Sequence, residues 1–439
     1  MPTPGVRHNG TGSASPPMME DMAGVFRYGR VWLANGGLRI FRQHIATDSY
    51  VTYDLQGAEY EAMGLPNRGY GAFPFDDHYD VAVAVDKWNR VHLAGNGHTD
   101  PQRYIVSAPS DITKWTVPPY QFAISGANAH TYNIFNRLST GELLWFFDQQ
   151  DTDTTAGRDW LFYFLPTGPD LTLTWKKGID NSMGTGVGEL VRTTAADARA
   201  FGSANRSYIM GVFVDERDHI HVAAIFRTGD KDGNTQQQPC YMRGTAIGLN
   251  SGNKWRNIAG QAVTTPLTWE TRAQALITSA PPISRTYGAS ICIDPSGKPN
   301  VILQNGGTLQ GPDALVPDAG PAGEPMGHIE GRSKYVRCFH DGTGWQIADL
   351  PTAAIGAARG PTIHRVGKEV CVLTSTGGRQ RITRGAGTGQ QAYFGPPVVT
   401  GIESPPDPIT LQKRGQIAIL TPDGDNPAVS VYCPNCGLT

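Results

Sequence analysis

Residues 75–107, FDDHYDVAVAVDKWNRVHLAGNGHTDPQRYIVS, decide the fold. Three short runs rich in β-branched residues, VAVAVD (81–86), RVHLAG (90–95) and RYIVS (103–107), are separated by the turn DKWN (86–89) and by a polar segment. Strand-forming residues bounded by turn residues describe an antiparallel meander. A chain that runs up and straight back returns close to its start, so His78, just before the first run, and His98, just after the second, are expected on one rim. Two histidines so placed could be a catalytic pair, a metal site or ordinary packing.

Outward from this stretch the same unit recurs. Its copies occupy roughly 31–55, 81–107, 132–165, 208–246, 288–339, 361–384 and 409–433, with the clearest turns at 86–89, 139–141, 215–218 and 294–297. The period, loosely 40 to 50 residues, is that of a propeller blade lengthened by loops. Trp115, Trp175, Trp255 and Trp345 follow units two to five in register, and NSGNKW (250–255) is a degenerate Asp-box turn. We therefore expect an all-β protein, an about seven-bladed β-propeller, in which the three evident strands of each unit leave the outer fourth to weaker runs. Ring closure is expected to pair N-terminal residues with the last unit. Two packed sandwiches are the runner-up, disfavoured by the regular turn spacing. No amphipathic helix of ten or more residues is predicted, apart from a turn or two around 191–200.

Residues 1–20, rich in Gly, Ser, Pro and Thr, are expected to form a flexible arm, residues 21–439 a single propeller domain, and the Gly- and Pro-rich stretch 306–332 a long rim loop. Among 439 residues, 37 Lys and Arg nearly balance 39 Asp and Glu, which leaves out the strongly basic footprint of a nucleic-acid binder. The 53 glycines and 32 prolines fall mostly between apolar runs, as many tight turns require. Neither a signal peptide nor an apolar run of about 18 residues is visible, so no membrane span is expected. The six cysteines are too scattered for a disulfide framework; only Cys433 and Cys436 have ligand-like spacing, and a tetrahedral zinc would need two more ligands.

The segments from Asp76 to Trp115, AHTYNIFNRLSTGELLWFF (129–147) and IHVAAIFR (220–227) resemble the BNR-4 type of propeller that includes ulvan lyases and related polysaccharide lyases. The resemblance spans about 76–345. It implies that His78 and His98 are the family's histidine pair, that Tyr208 is its blade-opening tyrosine and that Arg227 is its strand-end arginine. It also implies an acidic, uronate-containing polysaccharide as substrate, an extracellular place of action and no required cofactor, although a structural zinc or calcium is compatible with it. Three departures stand out: an insertion-like segment at 184–204 before Tyr208, the long 306–332 loop, which could cover or reshape the cleft, and the absence of the family's usual secretion signal.

β-Elimination from a uronate sets three tasks. The carboxylate must be neutralised, for which the planar, permanently charged fork of Arg227 is suited. A base must take the adjacent proton, and His78 or His98 has a pKa range fit for this. An acid must protonate the departing oxygen, a role open to Tyr208 beside a cation. His130 and Tyr132, in AHTYN, either line the cleft or open a strand as packing residues. Arg103 is a further candidate substrate contact. Asp77, with Asp76, could orient His78, bind a cation or cap a strand. His92, His219 and His221 sit within or beside strand runs and are expected to be structural. No pair of facing carboxylates for glycoside hydrolysis and no cluster of three arginines for a sialidase can be picked out. A second class remains open, a non-catalytic glycan-binding or phage tail attachment protein, and a virion-borne depolymerase would combine the two.

Overall fold

Short apolar runs bounded by Asp, Asn and Gly turns form antiparallel ladders along the chain. The computed structural model describes residues 17–33, 36–63, 81–95, 103–117, 129–150, 157–164, 175–177, 189–192, 206–228, 236–245, 255–277, 283–284, 290–304, 335–349, 362–366, 369–376, 379–385, 416–420 and 425–432. Seven antiparallel sheets follow one another along them. The first contains β1 (Met18–Glu20), β2 (Phe26–Trp32), β3 (Leu38–His44) and β4 (Ser49–Asp54). The second contains β5 (Val81–Val85), β6 (Val91–Gly95), β7 (Arg103–Ala108) and β8 (Asp111–Thr116). The third is built from β9 (Ala129–Arg137), β10 (Leu143–Gln150), β11 (Gly157–Phe164) and β12 (Trp175–Lys177), with β13 (Glu189–Arg192) also pairing β11. The fourth has β14 (Arg206–Val214), β15 (His219–Thr228), β16 (Gln236–Thr245) and β17 (Ile283–Ser284). The fifth has β18 (Ser290–Ile293), β19 (Pro299–Gln304), β20 (Tyr335–His340) and β21 (Trp345–Asp349). The sixth has β22 (Thr362–Val366), β23 (Glu369–Thr376) and β24 (Arg379–Gly385), and the seventh β25 (Ile417–Leu420) and β26 (Val429–Tyr432). Among the described residues helix is confined to α1 (Gly57–Ala62) and a 3-10 turn at Arg272–Gln274, and no described helix is long and apolar enough to cross a membrane.

One turn geometry recurs in five sheets, joining the first two strands of sheets two to five and β2 to β3 in the first. Its first residue is Leu33, Asp86, Leu138, Asp215 or Asp294, whose N–H donates to the carbonyl of the residue four on and whose carbonyl accepts from the N–H three on. The residue three on is left-handed in every copy, with φ of 85° at Gly36, 60° at Asn89, 88° at Gly141, 58° at Asp218 and 81° at Gly297. Glycine, asparagine and aspartate tolerate that conformation best, which is why these residues punctuate the sequence there. Three of the five first residues are aspartates, and each uses its side chain as well. Oδ1 of Asp86 accepts from the N–H groups of Trp88 and Arg90, as Asp215 does from Arg217 and His219, and Asp294 from Ser296 and Lys298.

Burial falls from the first strand of a sheet to the last. β1 and all of β5 and β6 are buried, whereas β4 and β8 are mostly exposed or half-exposed. The run VAVAV is apolar without alternation because neighbouring sheets cover both of its faces. One cluster joins sheets one to three through residues such as Tyr28, Val83 and Trp145; a second joins sheets three and four through Phe146 and Val222; a third joins sheets four and five through Ala223 and Ile291. Met18, Val31 and Phe41 of the first sheet pack on Ala418 and Leu420 of the seventh. Chain start and chain end thus meet in one core.

Several sequence expectations change. Met18, Met19 and Glu20, assigned to the arm, form buried strand β1, paired through Met18↔Gly29 and Glu20↔Arg27. Among the described residues the two ends meet by packing between sheets, and β1 pairs with β2 of its own sheet instead of with the last unit. The outer fourth strands carry the tryptophans: Trp115 lies in β8, Trp175 in β12 and Trp345 in β21, while buried Trp255 adjoins the Arg243↔Arg256 bridge. The Asp-box geometry is clearest at Asp111 and Asp341. Oδ1 of each accepts from the amide and the hydroxyl of a threonine two residues on, and each threonine is followed by Lys or Gly and then by Trp. The threonine bonds at Asp111, and at Asp341 the N–H of Gly344 followed by the threonine bonds, hold these carboxyls down at about 2. Residues 1–16, the 250–254 part of the degenerate turn and the 306–332 insertion lie outside the described residues.

Candidate active site

The aspartate turns mark one end of the sheets, so the opposite end can be found by counting from them. His78 stands eight residues before Asp86 and His130 eight before Leu138; Tyr208 stands seven before Asp215. His98 follows Asp86 by twelve residues, as Arg227 follows Asp215. Counted along the sequence, the candidates therefore stand at equivalent distances from the turns. His78, Asp77 and His98 lie outside the described residues, as do Cys433 and Cys436. His130 and Tyr132 fall in the opening turns of the ladder in β9, Tyr208 near the start of β14, Arg227 near the end of β15, and half-buried Arg103 at the start of β7 opposite Gly95.

First strands of successive sheets are neighbours, with β5 against β9, β9 against β14 and β14 against β18. The described candidates thereby come to the same end of sheets two, three and four. Within the fourth sheet Arg227 pairs with Arg206, and Tyr208 pairs with Ile225, two places further along the ladder. Such a diagonal relation is within reach of long side chains. β9 and β14 each carry a bulge close by: Tyr132 and Asn133 together oppose Phe147, and Met210 is the extra residue between Ile209 and Gly211. Bulges re-aim the residues that precede them and are frequent beside active sites.

The ladders also reveal residues that sequence reasoning missed. In the third sheet one row reads His130, Gln149, Arg158, Arg192, and in the fourth the corresponding end reads Arg206, Arg227, Gln237. With Arg103, five arginines collect at one end of three consecutive sheets of a chain that is close to neutral overall. A cluster of arginines could not be picked out from the sequence. They are far apart in sequence and become neighbours only through the strand register. The adjacent row of the third sheet, Thr131, Asp148, Asp159 and Val191, supplies acidic positions beside them.

His92 and His221 lie towards the turn end and are held on both ring nitrogens. In the second sheet Nδ1 of His92 is 2.6 Å from the Tyr104 hydroxyl and Nε2 is 3.2 Å from Asp86 Oδ2, which also accepts from Arg90 Nε at 2.6 Å. In the fourth, Nδ1 of His221 is 2.8 Å from the Tyr241 hydroxyl, while Asp215 Oδ2 is 3.4 Å from His221 Nε2 and 3.0 Å from His219 Nδ1. Burial holds the His92 and His221 imidazoles below their ordinary value, against the pull of their aspartates. Burial opposes ionisation of Asp86 and Asp215, but histidine contacts and donated N–H bonds outweigh it and keep both carboxyls low. Satisfied, buried and neutral, His92 fits the structural role expected of it; His219 is more open.

Solved structures share this fold. An ulvan lyase of the polysaccharide lyase family PL25, bound to -[GlcA(1-4)Rha3S]-, superposes with a TM-score of 0.61 at 12% identity, covering 98% of this chain and 94% of the lyase. The polysaccharide lyase Uly1 gives 0.60 at 13% identity, covering 93% of this chain and 88% of that enzyme. No curated protein matches the sequence. The signature of the BNR repeat-containing family matches residues 46–353, well over half of the chain. With its recurring turn-anchored sheets and its Trp-bearing outer strands, the chain belongs to the BNR repeat-containing family.

Proposed function

We propose that this protein is a polysaccharide lyase that cleaves a uronic-acid-containing, ulvan-like acidic polysaccharide by β-elimination, on a seven-bladed propeller closed by the packing of its first sheet on its seventh. The observation that carries this is the gathering of arginine positions with His130, Tyr132 and Tyr208 at one end of sheets two to four. A near-neutral protein with five arginine positions at one end of three consecutive sheets suits a polyanion with regularly spaced carboxylates. Arg227 neutralises the uronate carboxylate, which makes the adjacent carbon acidic. His78 and His98 take or relay that proton, and Tyr208, two ladder places from Arg227, returns one to the departing glycosidic oxygen. Arg103, His130, Tyr132 and Asp77 position the chain of sugars. The fold likeness to ulvan lyases supports this choice of chemistry over hydrolysis, and such a substrate implies action outside the cell or on a virion.

The test is incubation with a panel of uronate polymers, ulvan included, followed through the ultraviolet absorbance of the unsaturated uronate that elimination leaves. We expect absorbance with at least one polymer, reduced about 100-fold or more in His78→Ala and Tyr208→Phe. New reducing ends without absorbance would identify a hydrolase. Binding without any cleavage would identify an attachment protein.

A further inference from the structure

The turn-end cluster of the fourth sheet differs from its counterparts in one respect. At the residue four beyond the turn aspartate, the second sheet has Arg90 and the fifth has Lys298, whereas the fourth has His219. In the second sheet the Arg90 guanidinium meets Asp86 Oδ2 directly and balances its charge within a fully buried site. The fourth sheet keeps the aspartate, the second histidine and the tyrosine, and replaces the built-in cation by an imidazole. Asp215 Oδ2, His219 Nδ1 and His221 Nε2 all lie within 4.8 Å of one another.

We propose that these three atoms form a binding site for a zinc-class divalent cation, which takes the place that the Arg90 guanidinium holds in the second sheet. Spacings of 3.0 and 3.4 Å from Asp215 Oδ2 to the two ring nitrogens suit donors grouped about one ion, since bonds of about 2.0–2.1 Å at tetrahedral angles separate donors by roughly 3.3 Å. Two imidazoles and one carboxylate are the borderline donor set that zinc accepts and that calcium, which takes oxygen ligands, does not. The outer shell is present: the Tyr241 hydroxyl fixes the far nitrogen of His221, and the amides of Arg217 and His219 hold Asp215 Oδ1, leaving Oδ2 for the ion. The His219 side chain is 31% exposed, against 2% for His221, so a fourth ligand would come from the solvent side. The ion pins the turn of the sheet that presents Tyr208 and Arg227 at its other end.

The test strips the full-length protein with chelator, adds back zinc, and measures bound metal and melting temperature for the wild type and for His219→Arg, which copies the arrangement of the second sheet. The wild type should retain one zinc per chain and melt higher with zinc than without. His219→Arg should hold none there and melt independently of zinc. Zinc K-edge absorption of the wild type gives a second readout that needs no variant, and should show a nitrogen and oxygen shell with imidazole scattering. A sulfur shell would assign the metal to the cysteines and overturn the proposal, as would equal zinc binding by His219→Arg or no zinc in the wild type.

Discussion

The Tyr50 hydroxyl accepts a hydrogen bond from the Val429 N–H at 3.1 Å, joining residues 379 apart in sequence. It also accepts from Gln43 Nε2 at 2.9 Å, and burial, with the Asp48 carboxylate adding to it, pushes the phenol up to about 12. The hydroxyl therefore stays protonated across the neutral range. Beside it, Arg39 Nη1 donates to the Asp425 carbonyl at 2.9 Å. These bonds fasten the last described hairpin to the first sheet. Tyr50→Phe should cost about 0.5–1.5 kcal/mol and speed amide exchange in the 425–432 segment more than in the central sheets. Hydrogen-exchange mass spectrometry checks this; uniform exchange across all sheets would show that the two ends are held by packing alone.

Asp86 is the buried anchor of the second sheet. Replacing it with Ala leaves the Arg90 guanidinium uncompensated in a fully buried site, and should destabilise the fold by about 3–5 kcal/mol. Adding Arg90→Met removes the stranded charge and should recover much of that loss. Denaturant midpoints of the single and double variants decide the matter: a double variant no better than Asp86→Ala would place the cost in the lost turn bonds to Trp88 and Arg90 instead.

Stability should fall on the acid side in two stages. The folded pKa of His92 is depressed by burial, so only the unfolded chain takes up its proton as pH falls below the ordinary histidine value of about 6.5. Burial also takes His364 down to about 4, which puts the first loss between about 6.5 and 4. The Asp86 carboxyl is depressed too, so its contribution is present above its ordinary value and disappears as pH drops through the folded one. Melting temperature against pH should thus decline from pH 6.5 downward and steepen below 4. A flat profile between 7 and 5 would contradict neutral buried histidines.

On a cleavable uronate polymer, Arg227→Ala should lower turnover by about 100-fold or more, while Arg158→Ala and Arg206→Ala should mainly raise KM and flatten its dependence on salt. The two kinds of arginine then separate kinetically: one acts on the reacting sugar and the others hold its neighbours. Steady-state kinetics at two ionic strengths test this. Equal effects from all three would mean that Arg227 is merely another binding arginine.

Turn chemistry made most of the fold legible. DKWN, DERD and DPSG state their geometry directly, because few residue types accept the left-handed fourth position. The tryptophans were visible too, but their place on outer strands was not, since those strands are short and partly exposed. MME at 18–20 gave no strand signal in three residues, and only its pairing with β2 reveals it. For the site, the histidine, tyrosine and arginine candidates were visible as residues at strand entries and exits. The arginine rows were hidden, because Arg158 and Arg192, or Arg206 and Arg227, meet through ladder register and not through spacing. The likeness of DKWNRVH (86–92) to DERDHIH (215–221) links His92 to His221 in the sequence itself.

The shared turns have a consequence for how such a protein can change. Strand register is fixed at one end of sheets two to five by Asp86, Leu138, Asp215 and Asp294, while the residues that would meet sugars are at the other. Alterations in the seven residues between Gly95 and Arg103 leave every one of those registering bonds untouched. On the proposed function, substrate preference and fold integrity therefore rest on separate parts of each repeat, so that one can change while the other stays in place.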